Sequence, residues 1–177
     1  MAYKNLLQII GFQLVWFAWA LGVPRGWLWP GALASCLFLL AHGQTWRHDR
    51  RDRSALLLCV CFGFVLDSVL MHLGWLSFEV LNPGPLAAWQ PWWMLLLWAC
   101  LGCTLHHSLA WLKERVWLAV PLCGVAGVLS YQAAAEMGAL SLPGQIPAWL
   151  VLTVFWACFL PWAQHRTGAA GHAAIQD

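Results

Sequence analysis

Charged residues are scarce in this chain of 177 residues: Asp, Glu, Lys and Arg together make up only 9% of it. A soluble domain carries about a quarter of such residues, so the composition excludes an ordinary water-exposed surface. The formal net charge of +2 is too small for the basic surface that nucleic-acid binding requires. Walker loops, glycine-rich dinucleotide fingerprints, His-Glu-x-x-His pairs and nucleophile elbows are all missing. The sequence therefore predicts no cofactor and no nucleic-acid partner, and it favours a protein that is not an enzyme.

A disulfide framework is also missing, although the chain has seven cysteines. All seven lie in or beside apolar blocks, whereas disulfide-rich extracellular domains place their cysteines in loops. Cys100, Cys103 and His107 would share one face of a continuous helix, and thiolate with imidazole can bind a soft metal. No second pair of ligands accompanies them in the sequence. We therefore predict no metal site and interpret each buried cysteine as a small apolar residue.

Apolar residues are abundant, at 62% of the chain, and they come in long blocks. Blocks of about 18 or more apolar residues are typical of helices that cross a bilayer, and Pro and Gly in the links end such helices. The sequence predicts an all-α, polytopic membrane bundle of about six transmembrane helices. Residues 1–166 form a single integral-membrane domain, and 167–177 form a short polar cytoplasmic tail. The predicted spans are Leu6–Gly22, Trp27–Gly43, Ser54–Gly74, Pro91–Leu112, Val116–Leu140 and Pro147–Ala163.

The Lys and Arg residues predict the orientation of these helices. With the N-terminus in the cytoplasm, eight of the nine fall on the cytoplasmic side and only Arg25 falls outside. This asymmetry follows the positive-inside rule and places both termini in the cytoplasm. In the alternative interpretation, the first span is a signal peptide ending at Ala18-Trp19-Ala20, and the other five orientations stay the same. The eight cytoplasmic residues are Lys4, Arg47, Arg50, Arg51, Arg53, Lys113, Arg115 and Arg166.

Tryptophan is unusually frequent, with 15 residues. Most of them lie near the predicted ends of the helices, where indole rings favour the headgroup region of a membrane. Trp16, Trp98 and Trp156 lie deeper in their spans. We expect these three to pack against other helices.

A shift of 64 residues superimposes the second and third spans on the fourth and fifth. The matched helices run in the same direction, so the pattern predicts a parallel repeat of a helical hairpin. The matched pairs include Trp29 with Trp93, Cys36 with Cys100, Gly63 with Gly127, and Gly74 with Gly138.

Polar residues in the outer half of two predicted spans are the strongest functional candidates. Asp67 lies two-thirds of the way along the third span, and acids at such depths usually face a protein interior or a water-filled cavity. The 64-residue shift places Asp67 on Tyr131, and small residues such as Gly63 and Gly127 allow close helix approach. We therefore expect Asp67 beside Tyr131 in a polar pocket that opens outward; alternatively, these side chains only fix the helix packing. The predicted pocket residues are Asp67, Ser68, His72, Tyr131, Gln132 and Glu136, with Trp92 and Trp93 at the rim.

Several short motifs are shared with a known family. They are Phe12-Gln13 with Trp16, Gly63 with Asp67-Ser68, Trp93-Met94, Thr104-Leu105 and Leu129-Ser130-Tyr131. In these motifs the whole chain resembles a bacterial family of small, Trp-rich inner-membrane proteins filed as a domain of unknown function. The family pattern has Pro before Leu129, where this chain has Val128. The resemblance implies a multi-span protein of the bacterial inner membrane and supplies no catalytic residues. It also implies genes close to fatty-acid-modifying enzymes, which favours lipid chemistry.

The leading functional hypothesis is an accessory or amphiphile-binding component of membrane lipid or fatty-acid modification. Its predicted partners are membrane lipids and other membrane or lipid-modifying proteins. One alternative is a small proton- or cation-coupled transporter in which Asp67 titrates or binds the cation. Another is a structural partner subunit. A lateral cleft near Asp67 would favour the first hypothesis, a central cavity the second, and a fully packed interior the third.

Overall fold

Seven α-helices and one short pair of strands make up the fold of residues 2–143 and 146–173, which the computed structural model describes. The helices are α1 (Ala2–Gly22), α2 (Leu28–Ala41), α3 (Gly43–His48), α4 (Arg50–His72), α5 (Trp92–Gly102), α6 (Val116–Glu136) and α7 (Ile146–Ala173). The strands are β1 (Ser77–Phe78) and β2 (Leu140–Ser141). The predicted all-α bundle is confirmed.

Four helices are long and apolar enough to cross a membrane: α1, α4, α6 and α7. The chain therefore has the helices of a membrane protein. The second and fourth predicted spans contain shorter apolar helices, α2 with 14 residues and α5 with 11. Helix α7 continues to Ala173, so residues 167–173 of the predicted tail are helical, and 174–177 lie outside the described residues.

Three antiparallel helix pairs build the bundle. Helix α1 packs on α2, α4 on α5, and α6 on α7. Contacts of α2 with α5 and of α4 with α7 then join the three pairs, so α4 and α5 lie at the centre.

Eight of the nine Lys and Arg residues lie at one end of this bundle. Gln8 near the start of α1 bonds to Ser108, Asp52 at the start of α4 bonds to His107, and Gln164 of α7 bonds to Leu109. These contacts place the N-terminal parts of α1 and α4, the segment after α5 and the C-terminal part of α7 at the same end of the bundle. All eight residues of the predicted cytoplasmic group lie in or beside these segments. We call this end the basic end; the opposite end carries β1 and β2.

The opposite end closes with two similar helix endings. Gly74 after α4 and Gly138 after α6 both take left-handed backbone angles, with φ of 67° and 83°. Such a glycine ends a helix because it allows the next amide to bond back to the last turn. Strands β1 and β2 follow and pair antiparallel, with Ser77 opposite Ser141. The predicted fifth span is therefore too long at this end, because α6 stops at Glu136 and Leu140 lies in a strand. These matching endings agree with the 64-residue repeat, which stays a prediction.

Glycines in the core receive indole rings from neighbouring helices. A methyl group added at Gly63 would lie 2.1 Å from the ring of Trp98, and one at Gly127 would lie 2.1 Å from the ring of Trp156. The expectation that Trp98 and Trp156 pack against other helices is confirmed. The expectation that Gly63 and Gly127 bring α4 against α6 is wrong, because the two rings occupy that space.

Candidate functional site

Asp67 lies at the centre of a buried hydrogen-bond network. Its side chain has no exposed surface. Oδ2 accepts from Gln90 Nε2 at 2.6 Å and from Trp98 Nε1 at 2.9 Å, and Oδ1 accepts from the hydroxyl of Tyr131 at 2.5 Å. The three donors come from the loop before α5, from α5 and from α6, so Asp67 ties these elements to α4. The predicted contact between Asp67 and Tyr131 is confirmed, and it is made by a long side chain rather than by close helices.

Gln90 is a member of this network that the sequence did not reveal, and Trp98 was expected only to pack against other helices. Its backbone N–H donates to Ser68 Oγ at 3.1 Å, next to its side-chain bond to Asp67. Asn82 organises the loop around it, donating to Gln90 O at 2.9 Å and accepting from Trp92 N at 3.0 Å. The sequence signal that could have pointed to Gln90 is its position as a polar residue directly before Pro91. Pro91 is the N-cap of α5. The loop is thus pinned into the bundle on Asp67 and Ser68.

The remaining predicted pocket residues do not join this network. His72 is exposed; its Nδ1 lies 2.7 Å from Ser68 O, and its ring leans on Trp89. Gln132 and Glu136 bond to each other at 2.6 Å on the exposed side of α6. Trp92 is 42% exposed, whereas Trp93 is buried against Trp19. The eight residues therefore do not line one shared polar pocket, and any role in binding stays a prediction.

An apolar cleft of about 620 Å³ lies beside the Asp67 network. Helices α1 and α6 form its two sides, and α5 and α7 form its floor. Phe17 and Leu129, on its opposite edges, are 43% and 59% exposed, so the cleft opens sideways at the surface of the bundle. Trp98 and Tyr131 belong both to its wall and to the hydrogen bonds of Asp67. The side chains that face the cleft include Phe12, Gln13, Trp16, Ala126, Ser130 and Trp156.

The floor of the cleft rests on two stacked indoles. The rings of Trp98 and Trp156 lie 5.0 Å apart with an angle of 8° between their planes. Trp98 is fixed on its other side by Gly63 and at its nitrogen by Asp67. Trp156 is buried, and its Nε1–H has no hydrogen-bond partner among the described residues. The floor is therefore an aromatic surface formed by two stacked indoles.

At the basic end, the chain unwinds after Gly102, and residues 103–109 form turns. Gln8 donates to Cys103 O at 3.0 Å and accepts from Ser108 N at 2.9 Å. Gln164 donates to Leu105 O and Leu109 O, both at 2.9 Å. These two amides satisfy backbone groups that would otherwise be buried without partners, which is how irregular backbone is tolerated inside a membrane protein. The unwound segment lines the cleft with Thr104 and Ser108.

The unwound segment also separates the three residues that a continuous helix would place on one face. Helix α5 ends at Gly102, before Cys103 and His107. His107 Nε2 lies 2.8 Å from Asp52 Oδ2, and Cys100 is buried toward Ser35 of α2. The predicted shared face is therefore wrong, because the helix does not continue.

Residues 5–162 match the model of a family described as "Protein of unknown function (DUF2878)". This region includes all of the Asp67 network and the whole lining of the cleft. No curated protein and no solved structure matches the chain.

Proposed function

The chain belongs to this family of proteins of unknown function, and we propose that it binds a long-chain amphiphile in the cleft between α1 and α6. In this proposal it is a multi-pass protein of the bacterial inner membrane with both termini in the cytoplasm. It serves as an accessory component of membrane lipid or fatty-acid modification. The observation that carries the proposal is a large apolar cleft that opens sideways, where the surrounding medium is lipid.

The shape and lining of the cleft suit an acyl chain. It extends along α1 from Ile9 to Ala20, about 16 Å at the helical rise of 1.5 Å per residue. Its volume lies within the range of ligand sites, about 300–1,000 Å³. Among the described residues, no Asp, Glu, Lys, Arg or His lines it. A molecule that fills this cleft must therefore be mostly apolar and elongated.

Asp67 has a supporting role in this proposal. Its hydrogen bonds hold Trp98 and Tyr131, which form part of the cleft wall. A transporter in which Asp67 exchanges a cation with water requires access to its carboxylate, and the side chain of Asp67 is fully buried beneath Gln90, Trp98 and Tyr131. The geometry thus favours a role of the Asp67 carboxylate in shaping the cleft over a role in binding a transported cation.

Filling the cleft tests the proposal. Ala126 lines the cleft from α6, so the larger side chain in Ala126→Phe should prevent an acyl chain from binding there. Val125→Phe is the matched control, because Val125 is the preceding residue on α6, is 56% exposed and lies outside the cleft. A brominated stearate provides the probe, since bromine quenches tryptophan fluorescence at contact and Trp98 and Trp156 form the floor.

Saturable quenching that Ala126→Phe weakens and Val125→Phe retains is the expected result. Equal quenching in all three proteins would mean that the brominated stearate does not bind in this cleft. Asp67-dependent solute flux without saturable quenching would instead favour the transporter. A protein that binds no amphiphile and only stabilises a partner would favour the structural subunit.

A further inference from the structure

Gln13 is a polar side chain in an unusual place. It lies in the middle of α1, it lines the cleft, and the residue is exposed. No hydrogen bond to its side chain is found among the described residues, whereas Gln8, about one and a half turns earlier, is buried with two partners. An amide in hydrocarbon without a partner costs free energy. The cleft therefore presents a hydrogen-bonding group that its described surroundings leave unsatisfied.

The depth of Gln13 follows from the contacts on either side of it. Gln8 bonds to Cys103, and Trp19 stacks on Trp93 at 5.5 Å, so α1 and α5 run antiparallel across the floor. Gln13 lies about 7.5 Å along α1 from Gln8 and about 9 Å from Trp19. It is thus at about the depth of Trp98, about 6 Å along α1 from Ile9 and about 10 Å from Ala20, the ends of the cleft on this helix.

A further polar group, the hydroxyl of Ser130, lines the cleft near this depth. Ser130, on α6, is the residue before Tyr131, and Tyr131 and Trp98 both donate to Asp67. The Ser130 hydroxyl donates to Gly127 O at 2.7 Å, so its oxygen keeps lone pairs that can accept. The amide of Gln13 and the hydroxyl of Ser130 are therefore polar groups near one depth of an otherwise apolar cleft.

We propose that Gln13 is a specificity-determining residue that selects an amphiphile with an uncharged oxygen group inside its apolar part. The selected group is a hydroxyl or a carbonyl, because the amide of Gln13 can donate to either one. It is uncharged because no charged side chain of the described residues lines the cleft. The oxygen belongs either to a substituted acyl chain or to the ester of a glycerolipid. This inference rests on the proposed function and names its ligand class.

Competition against brominated stearate measures the selection. One arm compares stearate with stearate that carries a hydroxyl group at mid-chain. The other compares a monoacylglycerol with its ether analogue, which lacks the carbonyl. We expect the wild-type protein to prefer the hydroxylated stearate over stearate, or the monoacylglycerol over its ether analogue, by about tenfold. That ratio corresponds to about 1.4 kcal/mol, the size of one net hydrogen bond. The pair that shows the preference identifies the source of the oxygen.

The variant Gln13→Leu should lose this preference and keep its affinity for unsubstituted stearate. Gln132→Leu is the matched control, since Gln132 lies outside the cleft and bonds to Glu136. A preference that persists in Gln13→Leu overturns the inference. So does a wild-type protein that binds both members of each pair equally. In either case the proposed function still stands if Ala126→Phe weakens stearate binding, so the two failures are distinguishable.

A second copy of the chain is the competing occupant for the Gln13 amide, because glutamine can bond across helices in a membrane. The mass of the protein in detergent, measured by light scattering, separates the two. A dimer that Gln13→Leu converts to a monomer, with ligand preference unchanged, assigns the amide to self-association and overturns the inference.

Discussion

Replacing Tyr131 by Phe deletes one oxygen atom, and the structure predicts a loss of about 0.6–3 kcal/mol in the free energy of unfolding. The hydroxyl of Tyr131 is the only donor to Oδ1 of Asp67 among the described residues, and both residues are buried. Without it, Oδ1 remains in the core and loses that partner. Hydrogen bonds to charged groups contribute about 1.5–3 kcal/mol. Bonds between membrane helices average about 0.6 kcal/mol, because the unfolded state in the membrane also finds partners.

A double-mutant cycle with Asp67→Asn measures the coupling between the two residues. The amide oxygen of the new side chain can keep the bonds from Gln90 and Trp98, and its NH₂ group can donate to the Tyr131 hydroxyl. Asp67→Asn alone should therefore cost less than removing the side chain. Tyr131→Phe should lower the free energy of unfolding less in the Asp67→Asn variant than in the wild type. In the variant the group left without a partner is an uncharged amide rather than a carboxylate oxygen. The measurement is reversible unfolding in mixed SDS micelles, followed by tryptophan fluorescence.

The control is Tyr3→Phe, because Tyr3 is the only other tyrosine and is 72% exposed. It should leave the free energy of unfolding unchanged. If the two substitutions at Asp67 and Tyr131 add within about 0.5 kcal/mol, they are independent and the reasoning is refuted. Equal effects of Tyr131→Phe and Tyr3→Phe would refute it as well.

Three further predictions concern the rest of the fold. Gln8→Leu should lower the free energy of unfolding by about 2–5 kcal/mol, because it leaves two buried backbone groups without their hydrogen-bond partner. Gln132→Leu should lower it much less, and thermal unfolding in detergent compares the two variants. Gly63→Ala should cost about 1–3 kcal/mol because its methyl group meets the Trp98 ring, while Gly43→Ala, with open space around it, should cost little in the same assay. Reporter enzymes fused after residue 177 and inserted at residue 84 should report the cytoplasm and the periplasm, respectively; the same compartment for both would contradict the proposed orientation.

The sequence predicted those parts of the fold that depend on composition along the chain. Apolar blocks located the long helices, and the position of Asp67 in one of them indicated a protein-facing carboxylate. The 64-residue shift also pointed to Tyr131 as its neighbour. These predictions succeeded because the cost of a charge in hydrocarbon is large and local.

The parts that depend on partners distant in sequence were missed. The sequence analysis continued the fourth span to Leu112 and so missed the end of α5 at Gly102. The helix can stop there because Gln8 and Gln164, from the first and last helices, satisfy the freed backbone. Gln90 was missed because a loop has no periodicity to place it. Glycine spacing predicted a close approach of α4 and α6 that the structure does not show, because it does not distinguish a neighbouring backbone from the flat face of an indole.

The antiparallel pairing of β1 with β2 has a consequence for the history of the chain. In a symmetric dimer, residues on the two-fold axis meet their own copies. Ser77 and Ser141 are separated by the repeat length of 64 and face each other within a single chain. Asp67 and Tyr131, separated by the same length, also meet. If the repeat records a duplication, the ancestor was a homodimer of one helical hairpin. In such a dimer the residue at this position would have faced an identical residue, so the bond between carboxylate and phenol became possible only after fusion freed the two copies to differ.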